Sequence, residues 1–208
     1  MLLSLLTFSL AATLIVLLPG PDTLVVLRNL VRGGRISAIR TVLGVLTGLL
    51  CWVVTAVLGL SAVLRASEDA YLALRIAGAA YLVWLGISSL RSRGQVAPDH
   101  AGPDQPARRS LVGRGFPAGL VTNLLNPKVG VFFVTFLPGF VPSGYPVGRV
   151  SLLLGGIYVL LTALYFAVLI GAANQVRGWL ATRHIRRRLD RATGLVLVGF
   201  GLKLAVEG

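Results

Sequence analysis

The sequence predicts an all-α integral membrane protein: six transmembrane helices forming two inverted three-helix repeats, with a broken first helix in each half. Three observations carry the prediction. The chain of 208 residues is 55% hydrophobic and only 13% charged, with a mean hydropathy of +0.82, where a soluble domain would carry about 25% charge. Its apolar residues gather into six runs, most of them as long as a bilayer core demands. Its arginines concentrate in alternate links between those runs.

Run one covers about Leu2 to Leu27 and is interrupted by Pro19-Gly20-Pro21-Asp22. It has no basic stretch ahead of it and passes through Ala11-Ala12 without a loop, so it reads as a retained membrane helix rather than a cleaved signal. Run two covers about Ile39 to Leu64, and run three about Ala70 to Leu90. Run four covers about Phe116 to Phe140 and is interrupted by Asn126-Pro127-Lys128. Run five covers about Val150 to Ala173. Run six, about Ala192 to Val206, is short, though Leu189 can extend it and flanking arginines can snorkel. The other five can cross a core of about 30 Å at about 1.5 Å per residue.

Orientation follows from the basic residues. Fifteen lie on one side: Arg28, Arg32, Arg35 and Arg40 in the first link, Arg91, Arg93, Arg108, Arg109 and Arg114 in the third, and six arginines from Arg177 to Arg191 in the fifth. The other side holds Arg65, Arg75, Arg149 and Lys203, and Lys128 lies inside a run. Positive residues stay cytoplasmic, so both termini are expected outside. Three helices per half is an odd number, so two sequential halves must have opposite topology, as in many transporters. The expected division is 1–90 for the first repeat, 91–114 for a flexible Pro- and charge-rich cytoplasmic linker, and 115–208 for the second repeat. Leu18-Pro19-Gly20-Pro21-Asp22 can be laid on Leu124-Leu125-Asn126-Pro127-Lys128.

Those two interruptions are the candidate site. Pro19 and Pro21 remove backbone donors and Gly20 loosens the turn, so the first helix should break there. Backbone groups freed inside a membrane must find partners or line a wet cavity. Asp22, the only carboxylate inside an apolar run, sits beside this break. Burying its charge costs about 3 kcal/mol even on the lenient insertion scale. Two roles are open to it, a functional carboxylate or a helix cap, and they can coexist. Counting back from Arg28 puts it about 9 Å from the cytoplasmic edge. Lys128, beside Pro127, is the only amine deep in a run, with Asn123 and Asn126 close by. Its depth of about 18 Å strains the reach of a snorkelling lysine, so pairing with Asp22 or binding an anionic group is expected. Gly44 with Gly48, and Gly115 with Gly119, form small-xxx-small pairs for close helix contact. Tyr158, Thr162 and Tyr165 share one face of run five.

Other function classes find less support. A net charge of +13 would suit a polyanion ligand, but basic residues confined to short links fit lipid headgroups and orientation better than nucleic acid. The single cysteine, Cys51, lies inside an apolar run and cannot form an internal disulfide. His100 and His184 have no ligand partners at metal-binding spacing, and no nucleophile elbow or P-loop is present, so neither an enzyme nor a cofactor is expected. Without an ATP-binding motif, uphill transport must draw on an ion gradient, and one buried carboxylate that gains and loses a proton is a suitable coupling element.

Taken together, these motifs resemble the LysE/RhtB family of amino-acid exporters along nearly the full length. The resemblance rests on Pro19-Gly20-Pro21-Asp22, on Gly34, Gly44 and Gly48, and on Gly78-Ala79-Ala80-Tyr81-Leu82 with Gly86. It continues through Asn123 to Lys128, Phe132-Phe133, Leu137-Pro138, and Gly194 to Lys203. It implies a multi-pass inner-membrane exporter of amino acids or close derivatives, driven by proton exchange. Gly139 departs from the family, which often has glutamine there, and so bears on substrate identity. On this reading Lys128 faces the substrate carboxylate and Asp22 its amine or the proton, and Gly-rich faces are compatible with a homodimer. A divalent-metal exporter of the wider superfamily and a non-transporting scaffold are the alternatives. The first wants more ligands than one Asp and one Cys, and the second should lack a wet cavity at Asp22.

Overall fold

The computed structural model describes residues 1–66, 68–91, 114–142 and 144–172, together with isolated positions between 188 and 202. The described backbone is helical, with no strand among the described residues. The interior of the linker (92–113) and most of run six lie outside the described residues, as does the side chain of Arg75.

Helix α1 spans Leu2–Leu17, and the chain is then unwound through Leu18–Gly20 before α2 begins at Pro21. Helix α2 runs Pro21–Ala66, divided into two arms by Gly34, whose φ of 71° and ψ of −171° suit glycine and no other residue readily. The division is a reversal. Ser37 Oγ donates to Asn29 Oδ1 at 3.3 Å, although eight residues of straight helix would separate them by about 12 Å. Asn29 Oδ1 also accepts from the Gly115 backbone N–H at 3.4 Å, so one amide ties both arms to the start of run four. Arg28, Arg35 and Arg40 stand exposed around this turn. Helix formation thus extends back from the expected start at Ile39 to the turn itself.

Helix α3 spans Glu68–Arg91. Run four is more broken than its sequence indicated. Helix α4 covers Phe116–Leu124, Leu125–Asn126 are unwound, and α5 covers Pro127–Val131. The next five residues, Phe132–Phe136, form a π turn, and Leu137–Phe140 a tight 3₁₀ turn. Only the Asn126-Pro127 interruption was expected. The second departure coincides with Pro138, which removes the donor a continuing α-helix needs. Helix α6, Val147–Gly171, is continuous and about 37 Å long, enough to cross a bilayer core alone.

Bare backbone surfaces set the packing. A Cβ on Gly44 would overlap the Phe116 carbonyl oxygen, and one on Gly119 the Thr41 carbonyl oxygen. These are the small-residue pairs expected to pack, and they pack against each other. Residue numbers rise together along this contact, with Gly48 against Asn123, so the second arm of α2 runs parallel to α4. Helix α6 runs antiparallel to that arm, with Gly155 against Val53 and Gly148 against Val57. Gly86 of α3 lies so near Gly194 that a Cβ on Gly86 would stand 2.7 Å from the Gly194 carbonyl oxygen, and Gly201 lies against Ala79 and Val83. This contact is antiparallel and seats run six on α3.

The distribution of polarity is inverted relative to a soluble protein. Leu2, Leu3, Leu6 and Leu10 stand 60–74% exposed along α1, and Leu160, Leu164 and Val168 line one exposed face of α6. Asn123, Asn126 and Lys128 are buried. Apolar outside and charged inside is the arrangement that lipid as solvent selects.

Candidate functional site

The site is built from the two breaks. Pro19 and Pro21 cannot donate backbone N–H groups, so the carbonyls of Ile15 and Leu17, four residues earlier, lose their usual α-helical donors, and Ile15 keeps a 3.3 Å bond from the Leu18 N–H. Pro127 does the same to the Asn123 carbonyl. Pro21 and Pro127 each occupy the first position of the following helix, where a missing N–H costs nothing. Asp22 and Lys128 therefore each hold the second position of the helix that follows a break.

Each charge then reaches into the other break. The Lys128 ammonium donates to the Ile15 carbonyl at 2.6 Å and the Leu18 carbonyl at 2.9 Å. Asp22 Oδ2 accepts from Asn123 Nδ2 and Asn126 Nδ2, each at 2.9 Å. Asn126 is also the cap of α5, its Oδ1 accepting the Lys128 backbone N–H at 3.1 Å. The Asn123 carbonyl, denied its usual helical donor by Pro127, accepts the Asn126 backbone N–H at 3.0 Å and the Trp52 indole N–H at 3.3 Å. Asp22 sits in the first turn of α2, where the helix dipole favours an anion, and Lys128 sits at the carbonyl end of α1, where it favours a cation.

Lys128 was expected to pair with Asp22 or to bind an anionic group. No ion pair joins these two described residues, and the link between them runs through Asn126. Lys128 has three donors and spends two on carbonyls, leaving one uncommitted. Asp22 Oδ1 and Asn123 Oδ1 are buried acceptors without a hydrogen-bond partner. An unsatisfied buried acceptor is costly, and Asp22 and Lys128 each keep an unfilled valence beside one cavity, while Asn123 Oδ1 lies against Gly48.

A cavity of about 30 Å³ lies there, lined by Gly20, Asp22, Asn126 and Lys128 from the breaks and by Tyr158 and Thr162 from α6. It has room for a water or two and no more. Tyr158 of the lining packs in turn on Phe132 and Phe133 with ring centroids 4.7 and 5.2 Å apart, and Phe8 packs on Phe132 and Phe140 at 5.8 and 5.4 Å. Toward the Gly34 turn, Tyr165 and Thr23, also of the lining, make a hydroxyl contact of 3.3 Å. The polar face of run five thus points into the cavity, which the sequence pattern detected without knowing its target.

All eight expected residues meet at this place. Pro19, Gly20 and Pro21 form the first break, Pro127 opens α5, and Asn123, Asn126, Asp22 and Lys128 exchange hydrogen bonds. Sequence reasoning missed Thr23, Trp52 and the Ile15 and Leu18 carbonyls. The Ile15 carbonyl was derivable, because Pro19 removes the N–H four residues after it, but the Leu18 carbonyl was not, since Asp22 rather than a proline stands four residues on. Trp52 carried no signal, since its indole finds a partner 71 positions away. Gly139 is exposed, with nothing within 4 Å of a Cβ placed there.

A family model described as LysE type translocator matches residues 13–208. The threonine efflux protein of Escherichia coli (strain K12) is 30% identical over 213 residues, covering all of both chains. The leucine efflux protein of Enterobacter sp. (strain 638) is 32% identical, covering 96% of this chain and 93% of its own. An uncharacterized membrane protein of Bacillus subtilis (strain 168), YrhP, is 32% identical over 98% of this chain and 99% of its own. No solved structure matches the chain.

Proposed function

Because the chain belongs to the LysE type translocator family, we propose that it exports amino acids or close derivatives from the cytoplasm, coupled to proton exchange, through the cavity shared by Asp22 and Lys128. The family is one of translocators by name rather than enzymes, and two relatives are named for threonine and leucine efflux. The observation that carries the reading is the pair of opposite charges lining one buried cavity while each keeps an unfilled hydrogen-bonding valence. A zwitterion supplies both missing partners. Its ammonium satisfies Asp22 Oδ1, and its carboxylate takes the third N–H of Lys128. In a medium of low dielectric, few other solutes offset the cost of opening such a site.

The cavity as it stands is smaller than an amino acid, so it must widen to load one, through packing that acts as a seal on either side. Loading requires one seal to part. The Tyr165–Thr23 contact faces the Gly34 turn and its arginines, which makes it the cytoplasmic gate of an inner-membrane protein with both termini outside. The aromatic seal of Phe8, Phe132 and Tyr158 is then the outer gate. Two inverted repeats, 1–90 and 115–208 joined by 91–114, account for the equivalent positions of Pro21 with Pro127 and of Asp22 with Lys128. The parallel contact of α4 with the second arm of α2, and the antiparallel contacts of α6 with that arm and of run six with α3, support alternating spans. Asp22 carries the exchanged proton, because a protonated carboxyl releases the substrate ammonium and still hydrogen-bonds the asparagines. A homodimer through Gly-rich faces is compatible with this scheme.

The test is efflux from proteoliposomes loaded with a panel of amino acids, with and without an imposed pH gradient. Wild type should export a subset faster when protons can move inward in exchange. Asp22→Asn should lose the gradient response, and Lys128→Met should lose transport. If both variants export as wild type does, the site assignment fails.

A further inference from the structure

We infer that the Lys128 ammonium fills a monovalent-cation site at the broken carbonyl end of α1, so that Lys128 acts as a positioning residue, a cation tethered in place. Four observations make the site. Pro19 removes the donor four residues after Ile15, leaving its carbonyl only a 3.3 Å bond from the Leu18 N–H, and the Leu18 carbonyl lies just past the end of the helix. These oxygens carry the negative end of the helix dipole, and α1 has no basic residue of its own in its last turn to balance it. The ammonium bonds both oxygens, at 2.6 and 2.9 Å, and is buried. Its stem reaches them across Gly20, where a Cβ would lie 3.8 Å from Lys128 Cδ and 3.9 Å from Nζ, so a side chain larger than methyl would obstruct the passage.

Carbonyl ends of broken helices inside membranes are where transporters coordinate mobile cations. Here the coordinating oxygens are already occupied by a cation that belongs to the chain. The nearest carboxylate, Asp22, is bound by asparagine amides instead, so oxygen coordination rather than ion pairing holds the ammonium. A covalently attached cation has a very high effective concentration and cannot leave with each cycle. The end of α1 is thereby pinned to the second break whether or not substrate is present, and no dissociable cation is required at that point. This inference is independent of the export reading, because its test reads stability rather than transport.

Removing the side chain should leave a vacant site that accepts a small primary ammonium. The experiment is thermal unfolding of the purified full-length protein in detergent, in ethylammonium chloride and in tetramethylammonium chloride at equal ionic strength. Tetramethylammonium has no N–H to donate. For Lys128→Ala the melting temperature should be about 4 °C higher in ethylammonium, the shift expected of a ligand well above its dissociation constant. Wild type and Lys128→Met, whose sites are filled, should melt alike in the two salts. No difference for Lys128→Ala, or the same difference in wild type, overturns the inference. If Lys128→Ala yields no folded protein in ordinary buffer, recovery of monodisperse protein in ethylammonium but not in tetramethylammonium supports it, and recovery in neither overturns it.

Discussion

Asp22 and Asn126, separated by 104 positions, meet at 2.9 Å, and the same asparagine caps the helix that carries Lys128. One side chain therefore couples the geometry of both breaks. It donates to the anion of the first and accepts from the backbone of the second. Asn123 supports it with a second bond to the same carboxylate oxygen.

Replacing Asn126 by alanine should damage both functions of the amide. It removes one charge-assisted bond to Asp22, worth about 2 kcal/mol, and the cap of α5, worth about 1 kcal/mol. A combined loss near that size lowers the melting temperature of a chain this long by about 6–12 °C. Thermal unfolding in detergent measures it. A variant that melts with wild type would show that the bridge is not under load.

Two chemically identical substitutions should have opposite outcomes. Gly119→Ala places a methyl group on the Thr41 carbonyl, where only backbone movement can make room. Overpacking of this kind costs about 1–3 kcal/mol. Gly156→Ala on α6 meets nothing within 4 Å and should leave stability unchanged or slightly improved. Comparing the two melting temperatures tests whether α2 and α4 touch through bare backbone.

Pro19 and Lys128 should be energetically coupled. Pro19→Ala restores a backbone N–H that can serve the Ile15 carbonyl, so losing the Lys128 ammonium should then matter less. In a double-mutant cycle with Lys128→Met, the coupling should be about 1–2 kcal/mol, since both partners serve one oxygen. Strict additivity in thermal or chemical unfolding would show that the ammonium is not the replacement donor.

Orientation is open to labelling. In a Cys51→Ser background, Arg35→Cys beside the Gly34 turn should react with a membrane-impermeant maleimide only after permeabilisation. Tyr145→Cys, exposed before α6, should react in intact spheroplasts. The reverse pattern would invert the assignment of the two gates.

The sequence alone determined what depends on local chemistry. Its low charge and long apolar runs specified helices in lipid, since composition decides which solvent a side chain can tolerate. Pro19, Pro21 and Pro127 specified where helices must break, since a missing N–H is a property of one residue. Asp22 and Lys128 identified themselves as candidate site residues by being ionisable where ionisation is expensive. The second irregularity, from Phe132 to Phe140, was harder to see, because aromatic residues pass into π and 3₁₀ turns without a marker of their own apart from Pro138. The face formed by Tyr158, Thr162 and Tyr165 was legible as a periodicity, but its target was not.

Only the tertiary structure decided which partner each charge takes. Symmetry of the two motifs is equally compatible with Asp22 meeting Lys128 and with each charge crossing to the opposite break. The choice turns on helix separations of a few ångströms, set by Gly44, Gly48 and Gly119 bringing the second arm of α2 against α4. That approach carries Asn123 and Asn126 to Asp22, and packing of α5 beside the end of α1 brings Lys128 to the Ile15 carbonyl. Hydrogen bonds act over about 3 Å, while the partners lie more than a hundred residues apart along the chain. No local pattern encodes such distances, and so the exchange between Asp22 and Lys128 belongs to the packed molecule.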